Sequence, residues 1–195
     1  MFIELTDHLR CPAEHDESYL VLLPDRMEDR SVREGRLGCP VCGRTYMITD
    51  GVLDVGGAGS PDPGPTLLTA EAATAFIGLS GPGGYLVLVG GPAAAWRDVA
   101  ERNHGVALVA VNPPADVRDE PGLSVLRGGA LPIKSRSMRG VALGKPWGDD
   151  PAWVREAARV VLPGLRIAGE GQVPDETVIE LMAATGGVWV GTPRR

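Results

Sequence analysis

The sequence predicts an α/β chain in two parts, a small cysteine-bearing N-terminal unit and a larger unit built on a doubly wound parallel sheet. Three observations predict it. Apolar, largely β-branched runs at residues 85–89, 106–111, 123–126, 140–143 and 165–168 alternate with helical stretches, as strands buried on both faces do. Residues 56–65 are almost pure glycine and proline with one acid, which neither a helix nor a central strand can continue. All three cysteines lie before that break. The expected division of the 195 residues is a unit at 1–57, a linker at 58–68 and the sheet unit at 69–195.

The elements follow in order. The first unit has only short apolar runs, at residues 19–23 and 46–48, with turn signals between them. So small an apolar content makes a thin core that needs a staple. After the linker, residues 85–89 form a strand that runs into Gly90-Gly91-Pro92. Residues 93–104 carry Ala, Trp and Val on one side and Arg, Asp and Glu on the other, an amphipathic helix. The strand at 106–111 is closed by Asn112-Pro113-Pro114, and two more follow at 123–126 and 140–143. Residues 151–162 are an amphipathic helix entered through Asp149-Asp150. A fifth strand covers 165–168. Proline followed by acids at the start of 174–185 predicts a helix there, and a last strand takes 188–190. This half therefore has about six strands, with the order reversing between its first and fourth.

Composition excludes several classes. With 44% apolar and 23% charged residues the chain can bury a core. No apolar run approaches the roughly 18 residues that span a bilayer, so no membrane association is expected. Acids stand near the N-terminus where a secretion signal would be basic and then apolar, so the expected location is cytoplasmic. The net charge of −6 divides into −5 for residues 1–57 and −1 for the rest. Neither half has a basic excess, and nucleic acid is not an expected partner.

Cys39-Pro40-Val41-Cys42-Gly43 is a knuckle whose two sulfurs can reach one ion, with Gly43 free to fold the backbone toward them. Upstream stands Cys11-Pro12-Ala13-Glu14-His15, separated from Cys39 by enough chain for a returning hairpin. Three thiolates and an imidazole make a closed tetrahedral site, which means structural zinc. The expected ligands are Cys11, His15, Cys39 and Cys42, with His8 or a carboxylate as alternatives for the fourth position.

Leu9-Arg10-Cys11-Pro12, residues 38–46 and the Ile48-Thr49-Asp50-Gly51-Val52-Leu53 ending resemble the zinc-ribbon family of small methyltransferase-activator proteins. His15 departs from that family, which usually has a cysteine one position earlier. The resemblance implies a ribbon that binds a methyltransferase domain or is fused to one. The second half resembles the Rossmann-like class I S-adenosylmethionine-dependent methyltransferases. The resemblance rests on Leu86-Val87-Leu88-Val89-Gly90-Gly91, Gly128-Gly129-Ala130-Leu131-Pro132-Ile133, Ser137-Met138-Arg139-Gly140-Val141 and residues 159–166, in the family's order and spacing.

That resemblance implies a cofactor site at Gly90, Gly91, Asn112, Gly129 and Ala130. The family's acids, however, are replaced. Leu88 stands two residues before the first loop glycine, Asn112 where an acid holds the ribose, Gly129 where an acid takes the adenine amine, and Arg139 where a further aspartate is usual. Later loop glycines fall on Pro92 and Ala94. A hydrogen bond to a charged group contributes roughly 1.5–3 kcal/mol, so losing the ribose and adenine carboxylates removes about 3–6 kcal/mol of binding. Trp147 with Pro92, Pro113, Pro114 and Pro146 is expected to narrow the pocket further. No alternative catalytic set appears: His104 reads as a helix cap, Ser135 and Ser137 lack a neighbouring base, and Lys134 and Lys145 read as surface residues. The expectation is a methyltransferase-like pseudoenzyme, a non-catalytic adaptor whose protein partner is a methyltransferase or a second copy. The alternative is an active S-adenosylmethionine-dependent methyltransferase with a divergent cofactor site.

Overall fold

A computed structural model describes residues 1–56 and 63–194. In the second half, β5 (Tyr85–Val89), β6 (Ala107–Val111), β7 (Leu123–Arg127), β8 (Gly140–Leu143) and β9 (Ile167–Glu170) are parallel. Their order is β7-β6-β5-β8-β9. β5 is central: Leu86 pairs with Leu108 of β6 on one side and with Gly140 of β8 on the other. The winding therefore reverses between β5 and β8, as the sequence predicts. Beyond β9 the sheet turns antiparallel through β11 (Val188–Pro193) and ends at β10 (Ile179–Thr185). The result is an α/β fold on a mixed sheet.

Side-chain alternation along β5 divides the core into two layers. Leu86 and Leu88 face one cluster, shared with α1 (Ala70–Ile77) and α2 (Trp96–Arg102). Val87 and Val89 face the other, shared with α3 (Pro151–Val160) and with the N-terminal unit. Met1, Leu5, Leu9, Leu37, Ile48 and Leu53 are all fully or almost fully buried in that second cluster.

The N-terminal unit is a 3-10 helix at Ile3–His8 followed by an antiparallel meander of β1 (Val21–Glu28), β2 (Ser31–Gly38), β3 (Thr45–Thr49) and β4 (Val52–Asp54). β4 then pairs parallel with β7, Val52 with Val125, Leu53 with Leu126 and Asp54 with Arg127. This pairing makes all eleven strands one sheet. The halves also meet where the Arg10 amide donates to the Pro132 carbonyl (3.0 Å) and the Lys134 amide to that of His8 (2.8 Å). The Met1 amino group lies 2.7 Å from the Asp119 carboxylate, both buried.

Several elements differ from the sequence expectation. Residues 174–185 are not a helix. Asp175 accepts the Thr177 amide (2.7 Å) in a turn, and the chain continues as β10. Glu180, Leu181, Met182 and Ala183 have helical propensity, but Gly186 and Gly187, at φ 58° and 80°, supply the left-handed turn of a tight hairpin onto β11. The second half consequently has seven strands rather than about six. The helix expected at 93–104 begins as a 3-10 turn at Gly91–Ala95 and continues as α2. The strand expected at 165–168 lies at Ile167–Glu170. α1 is an additional helix, capped where Thr69 Oγ1 accepts the Ala72 amide. Of the expected linker, 58–62 lies outside the described residues.

Because the second core layer draws on both halves, unfolding is expected to be one transition in urea, followed by circular dichroism. Leu53→Ala should lower stability by about 2–5 kcal/mol without splitting that transition. Two separated transitions would show that the halves fold independently.

Candidate functional site

The β1–β2 hairpin returns the chain so that Cys39 arrives beside Cys11. The knuckle then closes on itself, the Gly43 amide donating to the Cys39 carbonyl (3.0 Å) and the Cys39 amide to that of Arg44 (2.9 Å). Gly43 has φ 71°, the left-handed conformation that glycine adopts without strain. Ligand atoms of Cys11, His15, Cys39 and Cys42 all lie within 4.8 Å of one another. The Cys11 and Cys42 sulfurs are 3.7 Å apart, and Cys39 Sγ is 3.4 Å from His15 Nε2. A tetrahedral ion about 2.3 Å from sulfur and about 2.1 Å from nitrogen requires separations of about 3.6–3.8 Å. The four residues could therefore hold one metal ion. His8 is not among them; its ring packs edge-on against Tyr85, centroids 5.0 Å apart.

The surroundings suit charged ligands. Burial opposes ionisation of Cys39, but the amides of Cys42 and Val41 outweigh it and bring its thiol down to about 6. Burial pushes the Cys11 thiol up, opposed by the Tyr46 hydroxyl 3.2 Å away, which can donate to a thiolate. His15 Nδ1 lies 2.6 Å from the Asp16 carbonyl, which raises the imidazole's pKa. With the proton at Nδ1, Nε2 keeps its lone pair toward the three sulfurs, the usual outer support of a metal-bound imidazole.

The second candidate site lies at the carboxyl ends of β5, β6 and β7. Gly90 has φ 70°, and the Trp147 indole covers it so closely that any added β-carbon would overlap the ring. Trp147 is 3% exposed and meets Trp153 edge-on, centroids 6.1 Å apart. Gly91 is covered from another direction: a β-carbon there would stand 2.9 Å from Thr66 Cβ and 3.0 Å from the Gly64 carbonyl. Residues 66–68 are tied down by Glu170, a buried carboxylate at the end of β9. One of its oxygens accepts from the Thr66 hydroxyl and from the amides of Leu67 (2.7 Å) and Leu68 (2.8 Å). The other accepts the Lys145 amide (3.3 Å).

Asn112 is turned away from any ligand. It is 1% exposed, sits at φ 51°, and forms a two-bond pair with Gly128, donating to its carbonyl (2.8 Å) and accepting its amide (2.9 Å). Val55 and Gly56 pass over Gly128, and the Gly129 amide donates to the Gly56 carbonyl (2.9 Å). Gly129 is exposed and Ala130 half-buried. These groups cover the positions where the resemblance implies the methionine and ribose parts of S-adenosylmethionine. The sequence places Gly90, Gly91 and Asn112 on one rim and expects Trp147 to narrow it, but it does not reveal Gly64 and Thr66 over Gly91. Glu170 and Thr66 were not singled out from sequence; the one available signal was an acid closing an apolar run.

Several other polar residues weighed from sequence have structural employment, but the cap of α2 is Asn103, donating to the Val99 carbonyl (2.8 Å), not His104. The Ser135 hydroxyl donates to Glu17 (2.6 Å), that of Ser137 to the Lys134 carbonyl (2.7 Å), and Lys134 Nζ to the Asp7 carbonyl (2.7 Å). Arg139 donates to the carbonyls of Ser80, Gly81 and Gly83.

No protein-family model matches the chain, and no curated protein matches it. Solved structures with partial likeness include the complex of the Haloferax volcanii Trm112 methyltransferase activator with a provisionally named methyltransferase. There the identity is 22%, the match spans 51% of this chain and 50% of that one, and the TM-score is 0.42. A geranyl diphosphate methyltransferase bound to GPP and sinefungin shares 17% identity over 51% of this chain and 42% of its own, with a TM-score of 0.43. A Methanococcus maripaludis protein provisionally named an S-adenosyl-L-methionine-dependent methyltransferase shares 12% over 65% and 84%, with a TM-score of 0.48. The chain thus spans half or less of the first two proteins' lengths, and all three scores lie below 0.5.

The contact of Trp147 with Gly90 has a measurable consequence. Gly90→Ala should cost about 2–4 kcal/mol, from overlap with the indole and from the positive φ. In a Trp147→Ala background the same change should cost about 1–2 kcal/mol less, because only the backbone strain remains. Additive costs in a double-mutant cycle would mean that the indole does not rest there.

Proposed function

We propose that the chain is a methyltransferase-like adaptor: a zinc-stapled ribbon fused to a Rossmann-like unit that has given up its cofactor and acts through protein contacts. The observation that carries this reading is the covering of Gly90 by Trp147 and of Gly91 by residues 64–66. The replaced acids at Leu88, Asn112, Gly129 and Arg139 point the same way, since no carboxylate is left at those positions to hold an adenosyl group.

Zinc fits the four-residue cluster by donor chemistry. Three soft thiolates and an imidazole favour it, and a set with no open position gives a structural rather than a hydrolytic ion. The ion would contribute folding energy by joining Cys11 to the Cys39–Cys42 knuckle across the β1–β2 hairpin. Every ligand binds in its deprotonated form, so affinity falls as pH drops.

Elemental analysis of the purified chain should find about one zinc per molecule. Cys39→Ser should lose it, and removal by a chelator should lower the melting temperature by several degrees or more. A well-folded chain that carries no metal when purified in zinc-containing buffer would contradict the staple.

Calorimetry with S-adenosylmethionine and S-adenosylhomocysteine should show no binding tighter than about 1 mM. A dissociation constant below about 100 μM, accompanied by methyl transfer to any acceptor, would restore the active-enzyme alternative.

A further inference from the structure

Arg136, Arg155, Arg159 and Arg194 line one open groove of about 790 Å³, and among the described residues no aspartate or glutamate lines it. This is unexpected on a chain of net charge −6. Of the four, only Arg159 is in an ion pair, with Glu156 and with Glu17 (3.5 Å), and it also donates to the Ile133 carbonyl. Among the described residues, Arg136, Arg155 and Arg194 make no ion pair. The acids of the adjoining cavity, Asp149 and Asp175, are turned to backbone amides of Gln172 (2.6 Å) and Thr177 (2.7 Å).

The groove has a fixed frame. The Arg136 amide donates to the Arg159 carbonyl (2.9 Å), and the Arg194 amide to that of Val178 (3.0 Å). Between the cations the lining is mostly apolar, with Ala158, Val161, Pro163, Val178 and Pro193 beside Ser135 and Thr177. It lies toward the amino ends of the parallel strands. Arg136 precedes β8, Arg159 and Val161 end α3, and Arg194 follows β11, which runs antiparallel to β9. The glycine loop is at the opposite ends.

We infer that this groove docks an acidic segment of a partner protein, one that alternates carboxylates with apolar side chains. Guanidinium groups bind carboxylates through paired N–H donors, and the apolar floor receives the intervening side chains. A nucleic acid fits less well. Among the described residues the lining has no aromatic ring on which a base could stack, whereas its apolar floor suits side chains. The inference rests on the adaptor reading only in taking the occupant to be a protein; the groove's charge is the same whether or not a cofactor binds at the other end.

The test uses the full chain and fluorescence anisotropy with a labelled peptide of alternating glutamate and leucine, about twelve residues long, in about 50 mM salt. The peptide should bind, and affinity should fall at least about tenfold in the Arg136→Glu/Arg155→Glu/Arg194→Glu variant and also on raising salt. Arg102→Glu, exposed on α2, should leave binding unchanged. Circular dichroism of each variant establishes that it is folded. Absence of peptide binding at about 100 μM, equal binding by the triple variant, or tighter binding of an oligothymidylate through the same arginines would each overturn the proposal. S-adenosylmethionine calorimetry on the same samples tests the closed cradle separately, so either idea can fail alone.

Discussion

Three residues decide how this chain is put together. Val52, Leu53 and Asp54 pair parallel, not antiparallel, with Val125, Leu126 and Arg127. A parallel partner must end at the same edge of the sheet as its neighbours. The chain therefore leaves the N-terminal unit at the carboxyl ends of β5, β6 and β7, where a doubly wound sheet binds its ligands. To reach α1 it has to cross that rim. Val55 and Gly56 pass over Gly128, and Gly64 and Thr66 rest on Gly91. The described parts of the connection, residues 55–56 and 64–66, thus also cover that rim. Glu170 holds the cover down through donors from three consecutive residues.

The same pairing gives the small N-terminal unit its core. The meander has few apolar residues of its own, but it lies on Val87, Val89, Val109 and Val111 from the central strands. Met1, Leu5 and Leu9 are fully buried there. Cys11 and Cys39 are buried in the same layer, so the four-residue cluster sits at its edge, with Cys42 exposed.

What the sequence disclosed followed from local chemistry. The cysteine spacing, with its flanking prolines and Gly43, was enough to assemble Cys11, His15, Cys39 and Cys42, although it left His8 open as an alternative. Continuous apolar runs located β5 to β8, and the glycines after β5 marked the reversal point. Long-range pairing was not legible. Val52-Leu53-Asp54 reads as the end of a ribbon, and nothing local says that it continues another sheet. β10 was misread because its residues favour a helix in isolation, whereas a Gly-Gly turn and a partner strand decide its conformation. Trp147 reads from sequence as a residue that narrows the rim, but its seat on Gly90 depends on Trp153 of α3 behind it.

The central claim is that the chain itself occupies the space a cofactor would need. An experimental structure determined in the presence of saturating S-adenosylhomocysteine tests it most directly. The account predicts Trp147 on Gly90, Thr66 on Gly91, Asn112 paired with Gly128, and no nucleoside at the rim. An adenosyl group seated beside Asn112, with residues 64–68 released from Glu170, would contradict it.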